Sequence, residues 1–222
     1  MRMATEANQQ GWWVACSDVP YAIYIGLETE ASSIRSYEPP VIPGLLQPPA
    51  YARAVIEETI PLATADQIAT RLEVRLRRQA RAHHPGRPFR LWVVLDESAL
   101  RRVVGSPETM REQLEHLTHL GAQPHITVQV LPHDAGAHPG VAGQFSILHF
   151  TDTASDAGAC AGGTVYLERF TSDLYLEKRS DIRHYNVMYD HLQGQALGPE
   201  ATRHFITRAT EELLAGSPRG RS

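Results

Sequence analysis

Residues 128 to 148, VQVLPHDAGAHPGVAGQFSIL, set His133, Asp134 and His138 in a loop between two apolar runs, with glycines at 136, 140 and 143. Two imidazoles and a carboxylate this close could hold a transition metal if they converged, with His149 as a fourth ligand. The His-Asp-x-x-x-His spacing matches no ligand pattern of a helix or a hairpin. The glycines imply that the backbone bends sharply there or approaches something closely. The expectation is a structural loop or the rim of a pocket, with no metal and no cofactor.

Other groups compete for the chemistry. Glu112, His116 and His119 fall at i, i+4 and i+7, one stripe of a helix that could bind zinc. The apolar stripe Met110, Leu114, Leu117 and Leu120 lies mainly apart from it, so a solvated face is the stronger reading. Arg71, Arg75, Arg77, Arg78 and Arg81, with Arg87 and Arg90 beyond, make a basic run. No helix-turn-helix, zinc finger or interleaved aromatics accompany it, so a solvated or internally paired face is expected rather than a phosphate contact. Asp96 and Glu97 sit where a strand gives way to a helix, Glu28 and Glu30 lie among aromatics, and Glu168 follows the apolar TVYL. A pair such as Glu97 and Glu168 could do acid–base work if buried together; capping and ion pairing are the plainer roles. No G-x-S-x-G, Cys-His signature, Walker loop or dinucleotide glycine triplet occurs.

The elements that must position these residues read as follows. Ile23, Leu27, Ala31 and Ile34 predict a helix from Pro20 to Tyr37. The prolines of EPPVIPGLLQPPAY forbid a continuous helix before a short one over residues 50 to 59. Residues 64 to 83 predict an amphipathic helix capped by Thr64 or Asp66. FRLWVVLDESAL reads as a buried strand entering a short helix, and SPETMREQLEHLTHLGAQ as a helix with Ser106 as N-cap, Pro107 at its first position and Gly121 at its stop. HITVQVL and GQFSILHF read as strands, GTVYLERF and LYLEK as another pair, and residues 180 to 193 and 199 to 214 as closing helices. The expected fold is α+β, with a mixed, mostly antiparallel sheet of about five strands packed with N- and C-terminal helices.

The 222 residues are 42% hydrophobic, enough for one sizeable core. The expected organisation is a disordered segment 1–11, a single domain 12–214 entered at Trp12 and Trp13, and a disordered tail 215–222. A net charge of −4 gives no global case for nucleic acid. Cys16 and Cys160 are too far apart for a CxxC pair, and no signal-like or membrane-length apolar run occurs, so a cytoplasmic protein without membrane attachment is expected.

YIGLETEASSIRSYEPPVIPGLLQPPAYARAV, LWVVLDESALRRVVGSPETMREQLEHL, ITVQVLPHDAGAHPGVAGQFSIL, VYLERFTSDLYLEK and YNVMYDHLQGQAL occur in that order. Together, over about residues 12 to 214, the chain resembles the C-terminal effector-binding domain of actinomycete XRE-type helix-turn-helix regulators, the antitoxin-like, WhiJ-like family. In that family a helix-turn-helix precedes the matching region, whereas only eleven residues precede Trp12 here. The resemblance therefore implies a natural stand-alone version or a piece cut at a domain junction, without specific DNA binding by this chain alone. It also implies a regulatory domain that senses a small molecule or holds a small companion protein, with a homodimer possible.

The expected ligand-binding residues are Glu28, Tyr37, Gln47, Tyr51, Arg53, Glu97, Gln129, His138, Phe145 and Glu168, each polar or aromatic within a matching motif. Loop 132–143 is expected to wall the cavity on one side and the Pro-Gly segment 39–49 on another. The alternative is a biosynthetic enzyme recruited from such a sensor, with His138, Glu97, Glu168 and Tyr51 as acid–base candidates.

Overall fold

The computed structural model describes residues 21–82, 89–150, 162–169 and 172–216. Segment 1–11, Trp12, Trp13, Cys16, Cys160, Arg87 and residues 217–222 of the expected tail lie outside them; residues 215 and 216 end a helix. Six strands form one mixed sheet: β1 (Ser33–Glu38), β2 (Arg90–Asp96), β3 (Ile126–Leu131), β4 (Phe145–His149), β5 (Gly163–Leu167) and β6 (Leu174–Leu176), in the order β3-β2-β1-β4-β5-β6. The pairings of β1 with β2 and of β2 with β3 are parallel, and the three on the other side of β1 are antiparallel.

The strand beyond the expected five is β1, which stands where the sequence suggested the second half of a helix. Helix α1 (Ala22–Glu30) stops at Ala31, which is extended at φ −63° and ψ 139°. Ser32 and Ser33 are weak helix formers, and Ile34 and Tyr37 suit a strand. Pairing on both edges, with Ser33 to Glu38 beside β2 and Ser33 to Tyr37 beside β4, outweighs the local helical spacing.

Each face of the sheet has its own cover. Ile34, Leu91, Val93, Leu95, Val128, Val130, Leu148 and Tyr166 belong to a core completed by α1, α2 (Pro49–Thr59), α5 (Pro107–Leu120) and α7 (Pro199–Gly216). Tyr37, Val94, Leu131, Phe145, Ile147, Val165 and Leu167 pack on Ile182, Tyr189 and Leu192 of α6 (Arg179–Gln195). A central strand buried on both faces reads as an unbroken apolar run, as LWVVL of β2 does.

Local signals hold where they were strong. Ser106 Oγ accepts the Thr109 N–H at 3.2 Å above Pro107, and α5 ends at Gly121. Helix α3 (Ala65–Ala82) opens with a reciprocal box, Gln67 N–H to Thr64 Oγ1 and Thr64 N–H to Gln67 Oε1. Helix α4 (Glu97–Arg101) follows β2 directly, with Asp96 accepting the Ser98 N–H. No helix among the described residues is long and apolar enough to cross a membrane.

Candidate functional site

Strands β1, β2, β3 and β5 all end at one edge of the sheet, and β4 and β6 begin there. In sheets with parallel strands, that edge is where loops collect functional groups. The register orders them further. Ser36 pairs with Ser146, Ser146 with Tyr166, and Tyr166 with Tyr175, making one row across the sheet. Side chains alternate between faces, so two residues further toward the edge the same face carries Glu38, Gln144, Glu168 and Asp173. Gln144 Nε2 donates to Glu168 Oε2 at 3.1 Å.

Tyrosines and arginines cover this polar row. Tyr24 of α1 lies against Tyr166 at 4.3 Å between ring centroids, and Tyr166 against Tyr175 at 5.3 Å. Arg78 of α3 grips both carboxylate oxygens of Glu28, at 2.8 and 2.7 Å, and stacks within 5.5 Å of the Tyr21 and Tyr24 rings. Glu28 and Arg78 are paired, and Arg75 is a second cation near Glu168. Arg75 binds Gln47 Oε1 through Nη1 and interacts with the Tyr21 hydroxyl, while its buried Nε and that buried hydroxyl make no close hydrogen bond among the described residues.

Burial, then the neighbouring Glu168 carboxylate, pushes Glu38 up to about 8 against a hydrogen bond from Ser36. Glu168 stays open to solvent on one side, yet its carboxyl is also raised, by partial desolvation and then by Asp173, against Arg75 and Arg78. Desolvation raises Asp173 in turn, against hydrogen bonds from Tyr166 and Tyr175. Three carboxyls held toward their neutral forms at one place mark a functional-site candidate.

The opposite face of the same edge holds the loop residues. Tyr37 is buried, with its hydroxyl 3.4 Å from Asp96 Oδ2, and burial followed by the Asp96 charge raises it. His138 meets the Tyr37 ring edge-on at 5.8 Å, and Phe145 packs between Tyr37 and Tyr185. Gly140 passes so close that an added Cβ would lie 2.4 Å from Tyr37 Cε1. Glu97 accepts the His133 N–H at 3.0 Å and Arg101 Nε at 3.1 Å. Burial opposes the Glu97 charge, but these two bonds and the His133 ring prevail and hold its carboxyl below the usual range.

The structure thus gathers Tyr37, Glu97, His138, Phe145 and Glu168 at one edge, divided between two faces. It does not pair Glu97 with Glu168; the convergent pair is Glu38 and Glu168, while Glu97 is taken up by the His133 N–H and Arg101. The remaining expected residues sit elsewhere. Glu28 is engaged by Arg78. Gln47 and Tyr51 are buried, Gln47 donating to the Ile42 carbonyl and the Tyr51 hydroxyl accepting from Ile42 N–H, with burial raising Tyr51 to about 12. Arg53 lies on the outer surface of α2 beside Glu57. Gln129 bridges to the Leu197 carbonyl and Gln193, tying β3 to the junction of α6 and α7.

The two expected walls pack on opposite faces: Ile42, Leu45 and Leu46 join the core with α5, while Ala135 packs on the α6 side. His149 pairs across from Ser33 at the far end of β4, remote from His133, so the loop ligands and His149 do not form one set. Among the described residues, no group of three or more His, Cys, Asp or Glu is arranged to hold a metal. Of the basic run, Arg78 pairs with Glu28, Arg75 with Gln47 and Arg77 with Glu73.

No curated protein and no solved structure matches the chain. A family model, described as a domain of unknown function (DUF5753), matches residues 21–208. With the sheet, its edge and nearly all of its covering helices inside that span, the chain belongs to the DUF5753 family.

Proposed function

We propose that this chain is a ligand-sensing regulatory domain of the kind carried by antitoxin-like XRE-type regulators, and that its ligand binds over Glu38, Glu168 and Asp173. The observation that carries the reading is the cluster at this edge: three carboxyls with raised proton affinity stand near Arg75 and Tyr21, which interact with each other and whose buried Nε and hydroxyl make no close hydrogen bond among the described residues. Buried polar groups are normally satisfied. A small molecule with an ammonium group for the carboxylates, a hydrogen-bond acceptor for Arg75 and Tyr21, and an apolar body for the tyrosine rings would satisfy all of them. The cytoplasm is the setting that suits such a sensor. A small companion protein presenting a basic side chain at the same edge is the other occupant that this chemistry accepts.

A second reading is favoured by one observation. A carboxyl at about 8 beside another raised carboxyl is an acid–base pair poised near neutrality, which suits a biosynthetic enzyme acting at the same place. Native mass spectrometry and thermal shift against the producer's metabolite extract separate the two. Wild type would run beside Glu168→Gln and the surface control Arg53→Ala. A retained molecule that stabilises wild type and Arg53→Ala, not Glu168→Gln, and is released unchanged supports the sensor. A molecule released chemically altered supports the enzyme. A molecule retained equally by Glu168→Gln contradicts both.

A further inference from the structure

A second constellation lies at the same edge, where β2 passes into α4, and does not depend on the ligand reading. Ser98 Oγ lies 3.1 Å from His133 Nε2. The other ring nitrogen, Nδ1, is 3.8 Å from Glu97 Oε2. Hydroxyl, imidazole and carboxylate therefore follow one another, the first step at hydrogen-bond distance and the second a charge contact longer than a hydrogen bond, an order in which an imidazole can serve a serine as base. Parallel pairing of Asp96 with Leu131 brings the two chain segments together. Gly136, at φ +75°, ends the short 3-10 turn that carries His133.

Capping does not account for this. Starting α4 needs only the Ser98 N–H on Asp96 Oδ1, at 2.8 Å. The Ser98 hydroxyl donates to Asp96 Oδ1, which also lies 3.8 Å from His133 Nε2, so the hydroxyl must turn from Asp96 to the imidazole before His133 takes its proton; an imidazole from a loop 35 residues away adds nothing to the cap itself. Glu97 is fixed by the His133 N–H and by Arg101, itself held by Glu212 of α7, so the carboxylate facing the ring has a defined place. The His133 side chain is 58% exposed and Ser98 is half-buried, so an acyl group can arrive from solvent.

We propose that Ser98 is a nucleophile with His133 as its base, giving the chain an acyl-transfer activity toward small, activated esters. In the first step Ser98 Oγ bonds to the ester carbonyl carbon while its proton passes to His133 Nε2. The adduct collapses, the carbon–oxygen bond to the alcohol breaks, and His133 returns the proton to the departing oxygen. Water then adds to the acyl carbon, one of its protons passes through His133 to Ser98 Oγ, and a carboxylic acid leaves. The sum is ester plus water to acid plus alcohol. Glu97 is a positioning residue that orients the ring and supports its charged form.

The full chain treated with p-nitrophenyl acetate, followed by intact-mass measurement and peptide mapping, tests this. The expected result is one acetyl group on Ser98 in the native protein, none there in the urea-denatured protein, and none there in Ser98→Ala, which keeps the Ser98-position N–H on Asp96 and should melt as wild type does. His133→Gln should slow acylation by about 100-fold or more. Glu97→Gln keeps acceptors for His133 N–H and Arg101; it should slow acylation and move its pH midpoint down, because the ring loses a facing carboxylate while Asp96 and Arg101 remain. Acetylation confined to other residues, equal labelling of Ser98 in the denatured chain, or an unchanged rate in His133→Gln would each overturn the proposal.

Discussion

Tyr37 and Gly140 show how much can rest on a missing side chain. The Tyr37 ring is 1% exposed and is touched by His138, Phe145 and the Gly140 backbone. A Cβ at position 140 would lie 2.4 and 2.6 Å from two ring carbons, and the ring has no open side to move into. Gly140→Ala should therefore cost about 1–3 kcal/mol, in the range of overpacked cores, by chemical denaturation. Gly194, with nothing within 4 Å, is the control, and equal loss in Gly140→Ala and Gly194→Ala would contradict the contact. The sequence signalled this much: three glycines in one loop implied a sharp bend or a close approach, and Gly136, Gly140 and Gly143 supply both. It could not say that a tyrosine from a strand about a hundred residues earlier was the object approached, because that contact exists only once β1 pairs with β4.

At the scale of elements, helices α1 and α3 are joined by a buried ion pair. Side chains of Arg78 and Glu28 are 10% and 7% exposed, and the bond is two-pronged. Removing one partner leaves a buried charge uncompensated, so Arg78→Met should cost about 3–5 kcal/mol, while the double variant Arg78→Met with Glu28→Leu should recover most of it. A double variant no more stable than the single would show that the pair is not what Glu28 needs. Elements whose own residues decide them were legible in sequence: α5 from Ser106, Pro107 and Gly121, β2 from its apolar run, and the strand–helix junction at Asp96. Strand β1 was not, because Ile23, Leu27, Ala31 and Ile34 mimic a helical stripe and the competing sheet pairing comes from distant residues. Losing β1 also hid Glu38, the polar residue that ends it, and Ser98 was hidden because its base lies in another loop. The hint used for Glu168, a carboxylate following an apolar strand, was not available for Glu38, which ends the strand SIRSYE.

Over the whole molecule, the charges at the sheet edge couple folding to pH. Glu38, Glu168 and Asp173 bind protons more tightly folded than unfolded. The stability they contribute is complete below the ordinary carboxylate range and is lost as pH rises through the folded value, about 8 for Glu38. Glu97 acts with the opposite sign and in another window, since its stabilisation is lost only as acid protonates it. His149, whose imidazole burial depresses, gains stability over the same range, so the difference between the proteins isolates the carboxyl: between about pH 5 and about pH 9 the melting temperature of wild type should fall relative to that of Glu38→Gln. Identical slopes for the two proteins would assign the loss to other groups.

The central claim is that the sheet edge holds Glu38 and Glu168 together beside a cluster of tyrosines. Carbon-detected NMR titration of the glutamate side-chain carboxyls tests it without knowledge of the ligand. The account predicts that Glu38 titrates near 8 and that Glu168→Gln moves it down toward the ordinary range, because a facing carboxylate has gone. A Glu38 carboxyl that titrates with the exposed glutamates, and ignores Glu168→Gln, would contradict it.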